Sequence, residues 1–220
     1  GPRKNKPTNK SSHCQTQAGE NPRRRLPRLS QICQKSHCVH ERGILDTQHQ
    51  GIESTAKTVD AQCSDVPPIR LLFLCTGNSA RSLMAEALAP HLFPGLLAAG
   101  SAGSKPTGSP NPLALATLQS HNIPHEHLSS KGLDVVKDQP WDLIITLCGS
   151  AHEEVCPVLP IDVPRAHWGF PDPPAAKDPE ACFERVCGGI EQCLRIFMAQ
   201  ADQPIDKAAN KLSSSEYKHG

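Results

Sequence analysis

Five residues separate a cysteine from an arginine in the segment Cys75-Thr76-Gly77-Asn78-Ser79-Ala80-Arg81-Ser82, which follows directly on the largely apolar run 69–74. An apolar run that breaks into Gly, Asn and Ser and resumes as a helix-forming sequence predicts strand, tight turn and helix in immediate succession. The chain must therefore place a thiol at the end of a strand and a fixed positive charge at the start of a helix. Between them the backbone is short enough to curl with its N–H groups inward, and the helix adds its positive end. The same field favours an anionic Cys75 sulfur. Such a loop is built to hold and attack a tetrahedral oxyanion.

From residue 67 onward, short apolar runs alternate with helix-length segments, the pattern of parallel strands joined by crossover helices. Strands are expected at 71–74, 96–99, 141–147 and 158–163. Helices are expected at 82–92, with Met84, Ala87, Leu88 and Leu92 along one side; at 112–122, capped by Asn111; at 130–136; and at 178–199. In the last of these Phe183, Val186, Cys187, Ile190, Leu194 and Phe197 recur at helical spacing, and its cysteines read as small apolar residues. The expected fold is α/β: a single three-layer domain with a four-stranded parallel sheet and flanking helices. Gly100 to Gly103 read as a turn and 164–174 as a Pro-rich loop. In an open parallel sheet ligands sit beyond the carboxyl ends of the strands, which is where Cys75, Cys148 and Asp172 fall in this scheme.

Composition sets the boundaries. All eight aromatic residues lie after position 66, whereas residues 1–66 carry 11 Lys or Arg against 6 Asp or Glu. This N-terminal extension reads as irregular and disordered, and its removal is expected to leave the domain folded. Residues 67–200 form the domain, and 201–220 read as a frayed polar tail. Beyond residue 66 there are 12 basic and 16 acidic residues, a balance that argues against a nucleic-acid partner. No run of roughly 18 apolar residues and no apolar signal core is present, so no membrane partner is expected and the location reads as cytoplasmic. Ten cysteines without a secretory signal point to redox or metal chemistry rather than a disulfide framework. Cys14, Cys33, Cys38 and Cys63, near His13, His37 and His40, contain no C-x2-C pair and match no common zinc spacing. His152 and His167 read as solvated, and no metal site is expected.

Two further cysteines, Cys148 and Cys156, and an aspartate in Trp168-Gly169-Phe170-Pro171-Asp172-Pro173 add redox and acid groups to the anion loop. The residues thus read as a site for oxyanion reduction. Three blocks, Cys75 to Glu86, Ile145 to Pro157 and His167 to Pro173, give the segment from Pro67 to about Ala199 its resemblance to arsenate reductases built on the low-molecular-weight protein tyrosine phosphatase fold. The resemblance implies an oxyanion cradle of Thr76, Gly77, Asn78, Ser79, Ala80, Arg81 and Ser82, with catalytic roles for Cys75, Arg81, Cys148, Cys156 and Asp172. Arg81 offers a planar fork of donors to two oxygens, Ser82 donates to the Cys75 sulfur, and Asp172 is the general acid.

It further implies a relay: Cys75 forms a thiol-arsenate adduct, Cys148 attacks the Cys75 sulfur as arsenite departs, and Cys156 resolves that bond to leave a Cys148–Cys156 disulfide. Eight helical residues would hold those two Cα atoms about 12 Å apart, against the ~7 Å a disulfide tolerates, so any helix between them has to unwind. Thioredoxin or glutathione with glutaredoxin would then reduce the product. No tightly bound cofactor is implied, and phosphate or sulfate would compete for the loop. Two departures stand out: Ala80 replaces a second loop cysteine, and Lys131 falls where some members place an acidic potassium ligand, which puts a potassium requirement in doubt. Two other functions fit the same residues. One is a low-molecular-weight tyrosine phosphatase, although Pro174-Ala175-Ala176 supplies no aromatic frame for a phenyl ring. The other is a non-catalytic oxyanion or arsenical sensor.

Overall fold

A computed structural model describes residues 25–26, 67–149, 162–200 and 202–213. Four parallel strands, β1 (Ile69–Cys75), β2 (Leu97–Gly103), β3 (Leu143–Thr146) and β4 (Arg165–His167), form one sheet in the order β2-β1-β3-β4. Cys75 pairs with Gly103 and Leu74 with Thr146, so the three strands end at one edge. Parallel neighbours require crossovers. Among the described residues these contain α1 (Arg81–Leu92) and α2 (Pro112–Ser120), and the chain closes with α3 (Pro179–Ala199) and α4 (Ile205–Ser213).

Alternation along β1 divides the core in two. Ile69, Leu71 and Phe73 belong to the large cluster shared with all four helices, while Leu72, Leu74 and Cys75 join a smaller one with Val136, Ile144 and Cys148. Burial on both faces explains why this strand is a nearly continuous apolar run. The fold class agrees with expectation: a four-stranded parallel sheet flanked by helices. Asn111 caps α2 by accepting the Leu113 N–H at 2.9 Å, with Pro112 at the first helical position. All six apolar positions anticipated in α3 are buried. Cys187 is pushed up to about 11, mainly by burial and then by Glu184 and Glu191, which leaves it an inert thiol.

Six expectations change. Helix α1 has no one-sided apolar stripe, because every residue from Ser82 to Ala89 is buried. Strand β2 runs through the glycines that read as a turn: they are there for close approach, since a Cβ on Gly100 would lie 2.5 Å from the Trp141 ring and one on Gly103 2.5 Å from Thr76 O. The expected helix at 130–136 is a single 3-10 turn, Leu133–Val135.

The fourth strand is Arg165–His167, inside the segment that read as a loop. Residues 162–163 are turn and bend, and 158–161 lie outside the described residues. Only Ala166 of β4 is buried, so an edge strand of three residues leaves no apolar run to find.

The polar tail is corrected at residues 205–213. Ile205, Ala208, Ala209 and Leu212 are buried at positions i, i+3, i+4 and i+7 of α4. The N-terminal extension is corrected at one point too. Leu26 is 2 % exposed in the large core cluster, so removing residues 1–66 strips out a core side chain, a loss of about 2–5 kcal/mol for a buried leucine. Cys14, Cys33, Cys38 and Cys63, for which no metal site is expected, lie outside the described residues.

Candidate active site

The peptide planes of the Cys75–Ser82 loop are fixed from outside. Thr76 O accepts from the Lys105 N–H at 2.9 Å, Gly77 O from the Thr107 N–H at 3.0 Å and Ser79 O from the Asn111 N–H at 2.8 Å. Ser130 Oγ adds a second bond to Gly77 O. In a trans peptide the N–H points opposite to the C=O. Carbonyls held outward therefore turn the N–H groups of Gly77, Asn78 and Ala80 inward, and the Asn78 N–H does meet Cys75 Sγ at 3.2 Å. Gly103 permits this arrangement by leaving room for Thr76 O and Asn78 N. At the end of the loop α1 begins on Ala80, which offers no side-chain cap to the first-turn N–H groups, so the positive end of the helix faces the same cradle.

Asn78 sits at φ 43°, in the left-handed region, and is fully buried. That conformation costs on the order of 1 kcal/mol or more for a residue with a side chain, and three hydrogen bonds offset it. Its Nδ2 donates to Ser82 Oγ at 2.9 Å and to Ser101 Oγ at 2.7 Å, and its Oδ1 accepts the Lys131 N–H at 2.7 Å. Because an amide nitrogen can only donate, the Ser82 oxygen accepts here and its own proton is free to point at Cys75 Sγ, 2.9 Å away. Ser101 Oγ donates a hydrogen bond to Glu86 Oε2 at 2.5 Å. Both Glu86 oxygens in turn accept from Lys131 Nζ at 3.0 and 3.1 Å, and Ser129 O accepts from the same ammonium at 3.3 Å. A continuous polar chain thus runs from the sulfur to a largely buried ion pair, whose side chains are 11 % and 19 % exposed.

Arg81 closes the other side. Its Nη1 donates to Phe170 O at 3.0 Å and its Nη2 to Asp172 Oδ1 at 2.8 Å. Its Nε is buried without a partner among the described residues. A buried donor left unsatisfied is costly, and this one belongs to a guanidinium lining the same cleft as Cys75, Cys148 and Asp172. Cys148 is 6 % exposed, just beyond β3, with its sulfur 3.4 Å from Thr76 Oγ1.

Cys75, Thr76, Gly77, Ser79, Ala80, Arg81, Cys148 and Asp172 therefore share one cleft, with Asn78 and Ser82 buried beneath it. Cys156 and His152 lie outside the described residues. His167 faces Thr146 through Nδ1 at 2.8 Å. Sequence reasoning missed Ser101 and Glu86 as supports of the loop. Glu86 had a visible signal, an acid four residues after Ser82 on an otherwise apolar helix. Ser101, hidden in what read as a turn, had none.

A parallel sheet that ends in a Cys-x5-Arg anion loop, with an aspartate delivered from beyond β4, defines a class of enzymes that act on tetrahedral oxyanions. The profile of the family "low molecular weight phosphotyrosine protein phosphatase" matches residues 70–209, and the chain belongs to that family. An arsenate reductase of Bacillus anthracis is 39% identical over 127 residues, which cover 58% of this chain and 92% of that protein. One from Bacillus cereus strain Q1 matches to the same extent. Among solved structures, "an arsenate reductase in the phosphate binding state" superposes with a TM-score of 0.51 at 26% identity over 60% of this chain and 98% of its own. Wzb of Vibrio vulnificus in complex with benzylphosphonate shares the fold, with a TM-score of 0.51 at 20% identity over 59% of this chain and 97% of its own. No helix among the described residues is long and apolar enough to cross a membrane.

Proposed function

We propose that the chain reduces arsenate to arsenite in the cytoplasm. The observation that carries this reading is the second thiol: Cys148 lies in the anion cleft, against the hydroxyl of the residue that follows Cys75. Phosphate-ester hydrolysis has no use for it. Cys75 attacks arsenic with the oxyanion held by loop N–H groups and Arg81, and Asp172 gives a proton to the departing oxygen. Cys148 then attacks the Cys75 sulfur. The S–As bond breaks with its electron pair left on arsenic, so As(V) leaves as arsenite and a Cys75–Cys148 disulfide remains. Cys156 displaces Cys75 from that bond, and thioredoxin or glutaredoxin reduces the resulting Cys148–Cys156 disulfide.

Tyrosine phosphatase activity is the second reading, favoured by the anion loop and Asp172, which serve that reaction equally well. Measuring arsenite formation with thioredoxin and, in parallel, with glutathione plus glutaredoxin, alongside p-nitrophenyl phosphate hydrolysis, decides between the two. Rapid ester hydrolysis with no arsenite from either reductant overturns the reductase reading.

The Lys131 ammonium on Glu86 supplies a positive charge beneath the loop, which supports a site that works without potassium. Exchanging potassium for sodium is expected to leave turnover unchanged. Lys131→Met strands the Glu86 carboxylate and is expected to cost about 3–5 kcal/mol of stability, as removal of one partner of a buried pair does. Adding Glu86→Gln should recover part of that loss. Equal denaturation midpoints for the single and double variants would show that the pair carries no such load.

A further inference from the structure

Among the described residues of the N-terminal extension Leu26 lies in the core, and its contacts lead towards the active cleft. The Leu26 N–H donates to Gln203 O at 3.0 Å, and its carbonyl accepts the Asp202 N–H at 3.2 Å. Arg25 donates from Nη1 to Asp202 O at 2.6 Å and bridges antiparallel to Pro204. Residues 202–204 are the turn into α4, a helix of nine residues. A helix that short does not hold itself together and depends on packing at its flanks.

On its other side α4 grips the strand that leads to the acid loop. Asn210 Nδ2 donates to Arg165 O at 3.2 Å, and Trp168 Nε1 donates to Ala209 O at 3.1 Å. The Trp168 ring is fixed against Phe73 and Phe197, with centroids 6.3 and 6.1 Å away. Two residues further on, Phe170 O receives Arg81, and two beyond that Asp172 does. The anion cradle itself is braced elsewhere, by residues 105–111 and by Lys131.

We propose that Leu26 is a positioning residue for the acid loop: it seats α4, and α4 holds Trp168 and with it the segment that brings Asp172 to Arg81. The extension is then part of the working enzyme through its docked Leu26. This goes beyond the proposed function and takes from it only the proton-donating role of Asp172.

The test uses the full chain with Leu26→Ala and Leu26→Met. Turnover is followed on arsenate and on p-nitrophenyl phosphate, phosphate affinity by protection of Cys75 from iodoacetamide, and local order by hydrogen exchange. A catalytic group displaced by a remote change loses rate steeply, so Leu26→Ala is expected to lower kcat by roughly ten- to a hundredfold. Phosphate protection should change by no more than about twofold, because the cradle does not rest on α4. Exchange should accelerate in 202–213 and in 165–172 but not in 75–82, and Leu26→Met should restore both kcat and exchange. If Leu26→Ala fails to fold, Leu26→Val takes its place with smaller changes of the same pattern.

An unchanged kcat overturns the proposal. So does faster exchange that stops at 202–213 or spreads evenly over the chain. Which substrate the parent turns over decides the functional reading separately, since the ratio of variant to parent stands on either one.

Discussion

Arg81→Lys is expected to lower kcat/KM for arsenate by at least about a hundredfold although the charge is kept, the scale of losing one oxyanion donor. The guanidinium already serves two directions, Phe170 O through Nη1 and Asp172 through Nη2, and its third nitrogen, the buried Nε, has no partner among the described residues. An ammonium is a point charge on a flexible stem and cannot hold the acid loop and present a planar pair of donors to the anion together. The loss should appear equally on a phosphate ester, because the fork recognises the oxyanion and not the atom at its centre. Turnover on both substrates, with a melting curve to show that the variant is folded, checks this. A variant within a few fold of the parent would mean that loop N–H groups alone bind the anion.

What the sequence made legible was local chemistry. Asn111-Pro112 announces a helix start because cap and first turn are encoded in adjacent residues. Cys75 to Ser82 announces an anion loop because its curl is set by glycine, a left-handed Asn78 and a helix start within eight positions. The unread features depend on distant partners. Gly100 and Gly103 look like a turn until Trp141 and Thr76 O, which press against them, are known. Strand β4 is an edge strand of Arg165, Ala166 and His167, held by its pairing with β3 rather than by its composition. Leu26 sits among arginines and prolines, and only the turn before α4 explains its burial. Lys131 could be singled out from the sequence, but its link to Cys75 runs through Glu86, Ser101, Asn78 and Ser82, and Ser101 joins it from a different strand.

Cys148→Ser is expected to abolish arsenite release while sparing the anion chemistry. In the proposed relay the Cys75 adduct can shed arsenic with its electron pair only when a second sulfur takes over the bond to Cys75. Serine at position 148 is too weak a nucleophile towards sulfur to do so. Cys156→Ser should behave differently: Cys148 is present, so about one arsenite per enzyme is released and the protein stalls as a Cys75–Cys148 disulfide. Cys75→Ser should lose everything, including slow hydrolysis of p-nitrophenyl phosphate, which the other two variants retain because that reaction needs only the Cys75 nucleophile and the acid. Cys148 meets the hydroxyl of Thr76, the residue next to Cys75, and lines the same cleft as Cys75. A rapid-quench count of arsenite per enzyme, with mass mapping of the trapped disulfide, separates the three variants in one experiment. Repeated turnover of Cys148→Ser at the parent rate would mean that an external thiol attacks the Cys75 adduct directly, and Cys148 would then be a buried cysteine that happens to line the cleft.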